Sequence, residues 1–143
     1  MVIKIKEGTW MTKEFLKEHI KKLSEAEGLK YEIDNMYQTL KSPIITGMPS
    51  AHSPDADKIG IVLSKIQEKE IRYLAKLDII LNEEKEIEKV IDSLEDSRER
   101  TVMRYRYISG LEWEEVCVKA HYSWQWTHKL HKSALGKISK EEI

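Results

Sequence analysis

From Ile59 to Leu94 the chain alternates steps of four and three without a slip, through Ile59, Leu63, Ile66, Glu70, Tyr73, Leu77, Ile80, Glu84, Ile87, Ile91 and Leu94. A helix turns once in about 3.6 residues, so this spacing lays all these positions along one side. Apart from Glu70 and Glu84 the side chains are apolar, which makes the row a coiled-coil-like seam. The seam predicts a long helix over 55–95, in one piece or in two with a break near Asn82. Val62, Leu74, Leu81 and Val90 widen the stripe, which favours packing into more than a two-stranded coil. Such a stripe must be covered, by an earlier helix folding back, by a second copy of the chain, or by both. Glu70 and Glu84 are costly there if buried without partners, so they face solvent or set the pairing register.

The earlier helix is readable over 1–41. Thr12 suits an N-cap, and Leu16, Ile20, Leu23, Leu29, Ile33, Met36 and Leu40 form a stripe with one phase correction near Ala26. Met11 offers an alternative start, so 1–10 carry little weight. All three prolines fall in 42–54, which reads as a connector. Ser53 followed by Pro54 signals a helix start, with Asp55 and Asp57 placing negative charge in the first turn.

Few helix breakers and 34% charged residues point to an all-α protein: an N-terminal helical arm or hairpin with the long second helix, then a C-terminal helix-turn-helix over 96–143. The lone Cys117 permits no internal disulfide, suits a reducing cytoplasm, and reads as a small buried apolar residue. No apolar run reaches the length of a membrane span and the first ten residues do not read as a signal peptide, so a cytoplasmic protein without a membrane partner is expected. The net charge is -1, but residues 97–143 hold nine Lys plus Arg against six Asp plus Glu, leaving -4 for the other 96 residues. The C-terminal third is therefore the basic surface.

In that third, Asp96 or Ser97 caps a helix that stops at Gly110, with Val102, Met103 and Ile108 on its apolar side. A short helix follows over 112–120, with Trp113, Val116 and Cys117 inward. His121, Tyr122 and Ser123 make a tight turn, and a last helix runs to about Ile138 with Ser123 as its cap. Projected at about 100° per residue, Thr127, Leu130, Ala134 and Ile138 form the core face of that helix. Gln125, His128, Lys129, Lys132 and Gly136 fall opposite, and Trp124 and Trp126 lie on the flanks. An amide, two lysines and a histidine without an acid are groups that donate to phosphates or base edges. Ser123 and the free N–H groups after it suit a phosphate.

The stretch from Leu94 to Ile138 resembles region 4 of sigma-70-type factors, and more closely the phage-encoded ArpU-type regulators that share this helix-turn-helix. The residues that carry the resemblance are Arg106-Tyr107-Ile108, Gly110, Trp113 to Val116, Tyr122-Ser123, Leu130-His131-Lys132 and Ala134-Leu135. The preceding arm, connector and long helix also look like the phage group. The resemblance implies a phage or prophage transcriptional regulator of late genes, with base contacts from Trp124, Gln125 and Lys129 and with His128 approaching the DNA backbone. Glu112 departs from a Ser or Thr cap, His121 from Gly, and Trp124 and Trp126 from Arg, Lys or Gln.

The two tryptophans either stack on bases or meet a thymine methyl, or pack against neighbouring helices. Arg98, Arg100, Arg104 and Arg106 either touch phosphates or pair with the acidic arm. His128 and His131 have metal-ligand spacing but no completing ligand, and Glu114 and Glu115 stand without a nucleophile or phosphate loop, so no metal, cofactor or enzymatic activity is expected. The sequence thus predicts a double-stranded DNA-binding regulator that self-associates, most simply as a dimer, through its long helix. The alternative is an interaction module that contacts RNA polymerase, a sigma factor or another regulator.

Overall fold

The computed structural model describes residues 4–5, 9–41 and 54–138, with side chains placed over 11–41 and 57–138. The connector at 42–54 up to residue 53, the Ser53 cap and the last five residues lie outside the described residues, as does most of 1–8. The fold is all-α. Helices α1 (Lys13–Leu40), α2 (Pro54–Asp92), α3 (Ser97–Met103), α4 (Trp113–Ala120) and α5 (Trp124–Ile138) follow in order. A π-helical turn, Arg104–Ile108, extends α3. Among the described residues the one β feature is a pair of two-residue strands, with Lys4 opposite Trp10 and Ile5 opposite Thr9.

The seam produces one continuous helix of 39 residues, with no break at Asn82. It begins at Pro54, where a missing N–H costs nothing. Thr12 caps α1, its hydroxyl accepting from the Phe15 N–H at 3.1 Å. Asp96 caps α3, its carboxylate accepting from the Arg98 N–H at 2.8 Å.

The chain divides into two compact units, residues 24–79 and residues 1–23 with 80–143. In the first, Ala26, Leu29, Ile33 and Ile66 are buried. Antiparallel pairing is recorded by Glu25 with Lys76 at 3.2 Å and Glu32 with Lys69 at 3.7 Å. Half-buried Glu70 accepts a 3.0 Å hydrogen bond from the Tyr37 hydroxyl, which raises the tyrosine's pKa. One edge of this unit keeps its apolar side chains in solvent, with Ile71 69% and Leu74 64% exposed.

The second unit holds two cores. Met11 and Leu16 pack with Ile87, Val90, Ile91, Leu94, Met103, Tyr107, Ala134 and Ile138. Val102, Val116 and Leu130 form the other core, between α3, α4 and α5. The end of α2 therefore shares its core with α5 and lies in the same compact unit as the residues after 95. The seam arithmetic treats Ile87 to Leu94 as coiled coil because it is blind to what covers them. Cys117 is half-buried, since its position on α4 turns partly away from Val102 and Leu130. Buried His19 lies against Glu83, Nδ1 to Oε1 2.9 Å, and Lys22 donates to the same carboxylate.

Candidate nucleic-acid interface

Two short helices joined by three residues place the candidate site. Glu112 opens α4, its N–H donating to the Glu115 carboxylate at 3.3 Å. The α4 end is closed by His121 in the left-handed region, φ 60°. There the Tyr122 N–H reaches the Cys117 carbonyl at 3.1 Å and the His121 N–H reaches that of Val118 at 3.3 Å. This is the Schellman pattern, usually given to glycine because a Cβ opposes the conformation. Ser123 then caps α5, its Oγ accepting from the Trp126 N–H at 3.1 Å.

The core face of α5 is the predicted one: Thr127, Leu130, Ala134 and Ile138 are its buried residues. Gln125, Lys129 and Lys132 are exposed together, as is the Ser123 that precedes them. No acidic residue occurs in α5, and neither Lys129 nor Lys132 meets a carboxylate among the described residues. Lys129 does lie 5.9 Å from the Trp126 ring centroid, at the reach of a cation–π contact.

His128 is a correction. The projection puts it on the exposed face, but its ring is half-buried between two indoles, 4.6 Å from Trp113 and 4.2 Å from Trp124. Its Nε2 is buried without a hydrogen-bond partner among the described residues. The aromatic neighbours draw the imidazole toward the helix flank, away from the row of Gln125 and Lys132. Trp126 packs into the smaller core with the Arg98 guanidinium 5.4 Å over its ring, while Trp124 stays 51% exposed.

The arginines are engaged internally. Arg98 pairs with Asp96 at 3.0 Å, and the Arg100 guanidinium donates to the Leu94 and Glu95 carbonyls. Arg104 pairs with Glu88 at 3.3 Å and approaches Asp92 at 3.7 Å, so of the four it is the one that meets the acidic arm. Arg106 donates to the Leu111 carbonyl at 2.8 Å and lies 4.9 Å over Trp113. These bonds leave Lys129 and Lys132 as the cations that α5 presents outward beside Gln125.

The sequence reading missed the cluster on the other flank of α5. His131 Nε2 lies 2.7 Å from the Tyr107 hydroxyl, and its ring meets the edge of Trp113 at 4.5 Å. Burial lowers the His131 pKa to about 4, helped by His128, Arg106 and Lys13, and burial raises Tyr107 to about 12. The phenol is therefore the donor and a neutral imidazole the acceptor. The signal in the sequence was the placement of His131 three residues from His128, which reads equally as metal spacing. Among the described residues no three His, Cys, Asp or Glu side chains gather as a metal site.

Neutral His131 makes stability depend on pH. Its folded pKa lies below the ordinary 6.5, so between these values the unfolded chain binds more protons. Stability is complete above pH 6.5 and falls as pH drops toward 4. The loss is roughly 2 kcal/mol after discounting for the solvent that reaches the ring. Thermal melts at pH 7 and pH 4.5 test this, and His131→Gln should flatten the difference. An equal slope in the variant would assign it to other groups.

The second unit thus carries two short helices joined by a three-residue turn, with Gln125, Lys129 and Lys132 exposed on the later one. Residues 57–138, more than half of the chain, match the family described as Protein of unknown function (DUF1492), and the chain belongs to that family. No curated protein and no solved structure matches it. No helix among the described residues is long and apolar enough to cross a membrane.

Proposed function

We propose that the protein is a sequence-specific regulator that binds double-stranded DNA through α5, of the phage or prophage kind that the region-4 resemblance implies. The observation that carries this reading is the outward row of Ser123, Gln125, Lys129 and Lys132 on a capped second helix free of acids. Gln125 has the amide that pairs with adenine in the major groove, and the two lysines suit phosphates or guanine. Trp124, half-exposed beside Gln125, is placed for a thymine methyl or a sugar face. His128 supports Trp124 from behind instead of reaching DNA itself. Self-association as a dimer is assigned to the exposed edge bearing Ile71 and Leu74, and it would present two reading helices to a two-fold site.

Binding of the full chain to duplexes from its own genome's regulatory regions, followed across salt concentrations, tests the reading. Two phosphate contacts per subunit predict a fall in log affinity of about 0.9 for each per log unit of salt. Sedimentation of the same samples reports the stoichiometry. Absence of salt-sensitive binding to any such duplex at 50 mM salt would sink the proposal. The exposed Val118 and Trp124 favour a second reading, in which this end of the body contacts RNA polymerase or another regulator. A pull-down unaffected by loss of Lys129 would support it.

A further inference from the structure

A cavity of about 330 Å³ opens between the first turns of α1, the π-helical turn and the flank of α5. Lys13, Lys17 and Ile20 of α1 line it together with Arg106 of the π-helical turn, Trp113 of α4 and His131 of α5. Among the described residues no carboxylate lines it. Neither lysine has an ion-pair partner among the described residues, although the neighbouring Lys21 and Lys22 both do. Glu112, 3.9 Å from Arg106, points largely into solvent with 76% of its side chain exposed. Arg106 is thus partly countered, while Lys13 and Lys17 beside it are not, and cations gathered with so little counter-charge leave a field for an anion.

The walls narrow the chemistry further. Three-cation clusters on a flat surface suit a polymer backbone. Here cations and aromatic side chains line one concavity together, and its volume lies at the lower end of small-molecule sites, about 300–1,000 Å³. The His131 pKa is lowered first by burial and then by His128, with Arg106 and Lys13 adding to the same direction.

We propose that this cavity is a binding site for a small organic phosphate of about nucleoside monophosphate size, with the phosphoryl group between Lys13, Lys17 and Arg106 and the organic body against Trp113 and Ile20. The assignment does not depend on DNA binding, because the cavity is separate from the row of Gln125, Lys129 and Lys132.

Calorimetric titration of the full chain with AMP tests it, with adenosine and inorganic phosphate as companion probes. AMP should bind saturably and more tightly than either companion, and added salt should weaken it. Lys13→Ala with Lys17→Ala, both exposed side chains, should weaken AMP by roughly tenfold or more. Lys132→Ala should leave AMP unchanged while circular dichroism confirms that each variant is folded. Four outcomes would each overturn the site: no saturable AMP binding at millimolar concentration, adenosine binding as tightly as AMP, inorganic phosphate binding as tightly as AMP, or an unchanged double variant. If AMP fails to bind while the double variant loses affinity for DNA, the lysines serve a DNA backbone and the small-molecule site is refuted.

Discussion

Gln125→Ala combined with Lys129→Ala is expected to weaken DNA binding about a hundredfold while leaving the fold intact, taking about 1–3 kcal/mol for each lost base contact. Both side chains are exposed, and neither carries a hydrogen bond or ion pair in the body, so truncation removes donors without opening a core. Lys129 contributes a 5.9 Å contact to Trp126, but Arg98 covers that ring at 5.4 Å and remains. The variant should melt within a few degrees of the parent. A discriminating detail is that Gln125→Ala alone should reduce preference among sequences and Lys129→Ala alone should also flatten the salt dependence. Parent-like DNA affinity in the double variant would remove α5 as the reading helix and leave the interaction-module reading in its place.

Leu130→Ala is expected to destabilise the helix-turn-helix body by about 2–5 kcal/mol, the range for emptying a large aliphatic position in a packed core. Leu130 is 4% exposed and meets Val102 and Val116, which are both fully buried, so it ties α5 to α3 and α4 together. Neighbours that line this core from the rim, such as Trp126 and Tyr105, are held by their own contacts and refill the space only in part. Chemical denaturation followed by circular dichroism measures the loss. DNA binding by this variant should fail in step with unfolding, and at low temperature, where the body is still folded, it should recover. A loss below about 0.5 kcal/mol, the usual size for a surface change, would mean that the three helices do not share this core.

The sequence made the α5 core face legible because a helix that buries one side shows it as a period. Thr127, Leu130, Ala134 and Ile138 needed nothing beyond projection. The caps were equally local: Thr12, Asp96 and Ser123 each bond an N–H two or three residues on. The miss at His128 has the opposite origin. Its ring is positioned by Trp113 on another helix, and no pattern along α5 encodes that neighbour. The arginines show the same limit, because Arg104 finds Glu88 and Asp92 on α2 and Arg106 finds a carbonyl five residues on. A seam describes one helix and says nothing about which partner covers each stretch, so the core that the end of α2 shares with α5 was not readable from it. The cavity near Lys13 joins side chains of four elements and was invisible for that reason.

Met11 and Leu16 share a core with Ala134 and Ile138, near the two ends of the described chain. During synthesis the ribosome delivers residues in order, so the early side chains wait for the last helix before their partners exist. Until then the apolar stripe of α1 depends on α2, and the body that carries α5 is unfinished. Contacts so distant in sequence raise the entropic toll of closure and slow the final step relative to an ordinary helical bundle. A nascent chain interrupted before α5 therefore presents Leu16, Ile87 and Ile91 without their complete cover, the kind of surface that chaperones retain.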